Sequence, residues 1–137
     1  MRPRKTKFKK YHKPTVTSVY NKKSHLIYGR YGLVAEEPAL ITDAQLECCI
    51  MSIKRKVKRK GKLNVRVFPH MSVTKKPLEI RMGKGKGGVD CFKTTVKAGT
   101  VLFELEVASM SIAKSALRIG GSKLGFKTRV IDSHIQG

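Results

Sequence analysis

The sequence predicts an α+β fold with a basic N-terminal arm, and three features carry the prediction. Residues 1–35 contain ten Lys or Arg and no acid, the first acid being Glu36. A capped amphipathic segment follows at 41–61. Alternating apolar runs then fill 63–107, ahead of a second amphipathic segment at 109–119. A helix, then three or four strands, then a helix is an α+β pattern. At 137 residues the chain has the length of one domain. We divide it into an arm over 1–24 and a single α+β domain over 25–137.

The first helix has the clearest signals. Thr42 is a good N-cap, and Gln45 three residues later completes a capping box. Asp43 lies in the first turn, where the helix dipole favours an acid. Leu46, Ile50, Ile53 and Val57 recur at helical spacing with Cys49 beside them, and Gly61 is a natural stop. In the strand region, Leu63, Val65 and Val67 alternate with Asn64, Arg66 and Phe68 as far as Pro69. His70 to Lys76 reads as a loop. Pro77 suits the first position of a strand and opens the run Leu78, Ile80, Met82. A glycine-rich loop spans Gly83 to Gly88. Val89–Val96 and Val101–Val107 read as strands joined by a turn at 97–99. Ile112, Ala113, Ala116 and Leu117 give the second helix its apolar stripe, with Gly120 and Gly121 as its end. Phe126 to Ile131 reads as a last short strand.

Charge dominates the functional reading. The chain has 30 Lys and Arg against 9 Asp and Glu, for a formal charge of +21. Such self-repulsion opposes a compact state, so a polyanion is the natural partner, with nucleic acid ahead of an anionic membrane surface. Hydrophobic residues still make up 40% of the chain, enough for one modest core, so this is not a disordered basic tail. No apolar run approaches the ~18 residues of a membrane span. Two readings fit the opening MRPRKTKFKKYHK: an organelle transit peptide, or an arm that lays cations on RNA phosphates and offers Phe8 and Tyr11 for stacking. The excess of Lys over Arg, and the absence of Ser before Ser18, favour the arm.

Two further basic clusters stand out. KRKVKRKGK places seven cations in the nine residues 54–62, more than a helix dipole calls for, and reads as a phosphate-tracking face. Arg81, Lys84 and Lys86 sit in a loop whose glycines let backbone approach a crowded surface.

Catalysis finds little support. Gly83, Gly85 and Gly88 match G-x-G-x-x-G in form, but a strand rather than a helix follows, against a dinucleotide site. Neither a Walker pattern nor a kinase set is present. His12, His25, His70 and His134 are scattered without metal-ligand spacing. Cys48, Cys49 and Cys91 form no CxxC and read as reduced thiols. No cofactor, metal or enzymatic activity is expected.

Four stretches, in order, resemble a known family: RKTKFKKYHK at 4–13, YGRYGLVA at 28–35, GKLNVRVFPH with the following TKKPLEIRMGKGKG within 61–87, and AGTVLFELE at 98–106. Together with the two helices they resemble the L-sixteen family of large-subunit ribosomal proteins of bacteria and organelles. The resemblance implies a two-layer sandwich with helices packed on a mostly antiparallel sheet. It implies binding to large-subunit rRNA near the central protuberance, with neighbouring ribosomal proteins, beside the path of tRNA at the aminoacyl site. Arg2, Arg4, Lys5, Lys7, Lys9, Lys10 and Lys13 would then belong to an rRNA-bound arm. Lys54, Arg55, Lys58, Arg59 and Lys62 would form an rRNA-binding helix end. The loop Arg81, Met82, Gly83, Lys84, Gly85, Lys86 and Gly87 would face rRNA and tRNA near the peptidyl transferase region. Arg81 matches a position hydroxylated in some bacterial members.

The resemblance also makes the basic start the family's own N-terminus, with no cleavable presequence. KPTVTSVYNKK after His12, and ECCIMSIKRK within the helix, depart from the family's Gly-, Ala- and Arg-rich pattern. That drift resembles a mitochondrial, organelle-encoded member, with a bacterial cytoplasm or a plastid as the alternative. The rival function is a free-standing RNA-binding assembly or translation factor.

Overall fold

The computed structural model describes residues 1–12, 15–16 and 25–133. The elements run β1 (Tyr31–Ala35), β2 (Ala39–Thr42), α1 (Asp43–Val57), β3 (Lys62–Val65), β4 (Met71–Lys75), β5 (Gly88–Val96), β6 (Val101–Glu106), α2 (Met110–Gly121) and β7 (Thr128–Asp132). The fold is α+β, as the sequence predicts. Two antiparallel sheets take the place of a single one: a four-stranded sheet in the order β3-β6-β1-β7 and a three-stranded sheet in the order β2-β5-β4.

The helices join the sheets. α1 packs against α2 and borders β2 and β5, while α2 lies on β1 and β7. The capping box of α1 is present: Gln45 N–H donates to Thr42 Oγ1 at 3.2 Å, and Thr42 N–H donates to Gln45 Oε1 at 3.0 Å. Leu46, Cys49, Ile53 and Val57 are buried, and Ile50 packs at the edge of the core. They meet Leu33, Phe103, Leu105, Ala113, Ala116 and Leu117. Burying a side chain such as Ile53 in full contributes about 1.5–3 kcal/mol. β1 is buried along its whole length. Leu33 faces this core while Val34 joins Leu26 and Val101 in a smaller cluster, as strand alternation requires.

Four sequence expectations give way. First, two strands precede α1 where none was expected. YGLVA is a continuous apolar run covered on both faces, so it lacks the alternation of a half-exposed strand. Second, the strand and the loop around Pro77 are exchanged. Residues 71–75 form β4, paired through Val73↔Cys91 and Lys75↔Gly88, while Leu78, Ile80 and Met82 lie exposed in the loop beyond it. Glu79 has φ of 68°, which no strand sustains. Third, α1 ends at Val57 rather than Gly61. Lys58 adopts the left-handed conformation at φ 50° and donates its N–H to Lys54 O. Gly61 serves a close approach instead: a Cβ there would lie 2.6 Å from Glu106 O. Fourth, Gly120 and Gly121 belong to α2 and are buried. A Cβ on Gly120 would meet Ile53 at 2.7 Å, so this glycine lets α1 and α2 approach closely. The last turn there also accepts the Cys49 thiol, 3.2 Å from Gly120 O.

Candidate nucleic-acid interface

Residues 1–12 of the arm run without helix or strand from the start of α1 across β4 to the β4–β5 loop. Its first anchor follows from α1. Asp43 opens that helix, and Arg2 Nε donates to its Oδ2 at 2.5 Å, while the Met1 ammonium pairs with Glu47. Burial alone would raise the Asp43 pKa. The Arg2 hydrogen bond and the Ala44 N–H outweigh it, and the carboxyl titrates below the usual aspartate range. Arg2 is therefore engaged within the chain. Arg4, Lys5, Lys7, Lys9 and Lys10 are exposed, and the Lys7 ammonium lies 5.7 Å from the centre of the Phe8 ring. Lys13 lies outside the described residues, as do 14 and 17–24.

The far end of the arm meets the glycine-rich loop. Ser72 Oγ on β4 donates to Lys9 O at 2.7 Å. Lys10 Nζ donates to Lys86 O at 2.9 Å, and Lys86 Nζ returns a hydrogen bond to Tyr11 O. The loop is rooted where Lys75 pairs with Gly88. Lys76 Nζ braces it on Gly83 O. At its tip Gly83, Lys84 and Gly85 have φ of 91°, 56° and 93°, the left-handed region that glycine enters at no steric cost. Neither Gly83 nor Gly85 has an atom within 4 Å of where a Cβ would lie. Arg81, Met82, Lys84 and Lys86 are exposed, Met82 at 95%. Gly87 sits at the base, its Cα backed by Lys75 O.

The helix-end cluster stands apart. Lys54, Arg55, Lys58, Arg59 and Lys62 are exposed. Lys54, Arg55 and Arg59 rim an open cleft of about 520 Å³ whose floor is Ile53, Val57, Leu63 and Leu105. At a rise of about 1.5 Å per residue, Lys54 lies about 16 Å along α1 from Asp43, where Arg2 is anchored, and the helix end at Val57 about 21 Å. The structure thus joins arm and loop into one surface and leaves the helix end as a second.

One residue that sequence reasoning missed organises the neighbouring segment. Glu104 is completely buried on β6. Its Oε2 accepts the N–H groups of Ile27, Tyr28 and Gly29 at 3.1, 2.5 and 2.9 Å, and its Oε1 accepts Arg66 Nη1. Burial alone would raise its pKa. Arg66 and the three N–H groups more than compensate, and it titrates below the usual glutamate range. The signal was present in the sequence: an acid inside the otherwise apolar run VLFEL. Among the described residues no group of His, Cys, Asp and Glu is arranged to hold a metal ion, and no helix is long and apolar enough to cross a membrane.

Comparison with known proteins shows which family the chain belongs to. The family model described as "Ribosomal protein L16p/L10e" matches residues 3–131. The chain belongs to this family of ribosomal proteins. It is 40% identical over 131 residues to the large ribosomal subunit protein uL16 of Parvibaculum lavamentivorans, covering 96% of this chain and 94% of that one. The protein of the same name from Cereibacter sphaeroides is 43% identical with 96% of each chain covered. That from Phytoplasma australiense is 40% identical over 136 residues, covering 98% and 97%. As a member of this ribosomal family the chain is a structural protein and not an enzyme.

Proposed function

We propose that this protein is a structural constituent of the large ribosomal subunit that binds rRNA through two basic surfaces and helps shape the aminoacyl-site tRNA path. The observation that carries this reading is the union of arm and loop. A cationic arm and a cationic, glycine-turned loop, 76 residues apart in sequence, are tied by Lys10 to Lys86 O. Exposed cations arranged this way neutralise phosphates and position the protein without reading sequence. The A-form geometry and splayed loops of rRNA are the matching targets. Lys54, Arg55, Lys58, Arg59 and Lys62 form the second contact, at the other end of α1. The loop, with Arg81, Lys84 and Lys86, reaches toward tRNA.

The protein works on the ribosome. A mitochondrial ribosome accounts for the drift in the α1 sequence, and a bacterial one accords with the bacterial source of its relatives. Sedimentation of the native protein through a high-salt sucrose gradient tests the reading. An integral protein travels with the large subunit, and the fraction of origin settles the compartment. A protein left at the top of the gradient is a dissociable factor, and the structural role is then wrong. Changing both Lys84 and Lys86 to Ala should leave folding intact, since neither is in the core, and should lower large-subunit yield or slow tRNA accommodation. Unchanged yield and unchanged translation together would remove the loop from the proposal.

A further inference from the structure

We propose that Tyr28 is a stacking platform for an unpaired RNA base, held at the surface by the buried Glu104; this rests on reading the chain as an RNA-binding ribosomal protein. Tyr28 is 61% exposed, and Ile27 beside it equally so. Their backbone is nonetheless fixed. The N–H groups of Ile27, Tyr28 and Gly29 all end on one oxygen of Glu104. Gly29 sits so close to β6 that a Cβ would lie 3.0 Å from the Leu105 backbone. The Arg66 guanidinium, held by the other oxygen of Glu104, lies 5.8 Å from the centre of the Tyr28 ring. Burying a carboxylate is costly. What this one holds outward is a short loop bearing two exposed apolar side chains.

The chemistry on offer is a π face, not a phosphate clamp. Arg66 is paired with Glu104, and Arg30 Nε lies 3.9 Å from Asp132. An open cleft of about 560 Å³ runs beside the ring, bordered by Gly29, Arg30, Val107 and Ser133. Every nucleobase presents a π face, and aromatic rings backed by arginine planes take unstacked bases without regard to sequence. The +21 charge of the chain draws RNA to the protein and repels other basic proteins. A platform fixed before binding loses little entropy when a base arrives.

The chain contains no Trp, so Tyr28→Trp introduces a single indole reporter. Titrated with a short single-stranded oligoadenylate, the indole emission should be quenched as the complex forms. A duplex of equal length should quench it less. Tyr28→Leu keeps an apolar side chain and should weaken single-strand binding about 5- to 150-fold. The salt dependence should keep its slope, since no phosphate contact is lost. Tyr28→Phe should bind like the parent. Full-strength binding by Tyr28→Leu, or an unquenched indole in a complex that anisotropy shows has formed, would overturn the platform and leave general RNA binding standing. That result would assign the face to a protein neighbour. Failure of the parent chain to bind either RNA at low salt would overturn the RNA-binding reading and the platform with it.

Discussion

Replacing Glu104 with Gln tests the strongest structural inference about how the domain is held. The carboxylate, itself fully buried, accepts hydrogen bonds from three backbone N–H groups and from the part-exposed Arg66. A Gln side chain has one acceptor oxygen, which can face the N–H groups or Arg66 but not both. Its NH₂ then points at donors, and the Arg66 charge loses its partner. Breaking a fully buried pair from one side costs about 3–5 kcal/mol; with Arg66 part-exposed the low end, about 3 kcal/mol, applies, still a large part of a typical domain stability of about 5–15 kcal/mol. For a chain of this size each kcal/mol lowers Tm by about 2–4 °C, so a fall of about 10 °C is expected by circular dichroism at pH 7. The pH dependence carries a sign. The folded pKa of Glu104 lies below its ordinary value, so its contribution is complete above the unfolded glutamate pKa of about 4.3. It is lost as pH falls through the lower, folded value. The gap between parent and variant should therefore close on acidification. A gap under about 1 kcal/mol at pH 7, or one that widens as pH falls, would refute the argument.

Three further outcomes are expected. Gly61→Ala would put a Cβ 2.6 Å from Glu106 O and 2.2 Å from Val107 Cγ2, so it should destabilise the domain by about 1–3 kcal/mol, read from the denaturant midpoint. Maleimide at pH 8 should label exposed Cys48 rapidly and leave Cys49 untouched until unfolding, since burial shields that thiol and pushes its pKa up to about 11; mass spectrometry on peptides distinguishes the two. Removing residues 1–12 deletes the Lys10 and Tyr11 contacts with Lys86 and the Arg2 and Met1 pairs with the first turns of α1, so amide hydrogen exchange should quicken in residues 76–87 and at the start of α1 and stay unchanged in α2.

What could be read from the sequence was local. The Thr42–Gln45 capping box and the Leu46–Val57 stripe are short-range patterns, and both appear in α1. β5 and β6 also lie where the sequence reading puts strands. The failures share a cause: the deciding partner is distant in sequence. MSVTK becomes a strand because β5 offers it an edge, whereas Leu78, Ile80 and Met82 alternate as well but have no strand to pair with. Gly120 resembles a helix stop until Ile53 of the other helix is set against it. The same holds at the interface. Its cations were visible as composition, but their junction runs from Lys10 and Lys86 to main-chain oxygens, which carry no residue code. Glu104 binds mostly main chain too, so only its odd place among apolar neighbours marked it.

The exposed apolar side chains of the β4–β5 loop have a consequence for the protein before it reaches a ribosome. Leu78, Ile80 and Met82 stand 88%, 58% and 95% exposed, in a run with the alternation of an aggregation-prone strand. Three features keep that run from joining a neighbour edge to edge. Pro77 withholds a donor, Glu79 turns the backbone left-handed at φ 68°, and Lys76, Arg81, Lys84 and Lys86 surround the apolar positions with like charge, as gatekeepers do. The cations assigned to phosphate in the proposed function would thus also guard a newly made chain against edge-to-edge association. Variants that neutralise those lysines should accumulate as inclusion bodies during overexpression, whatever their effect on translation.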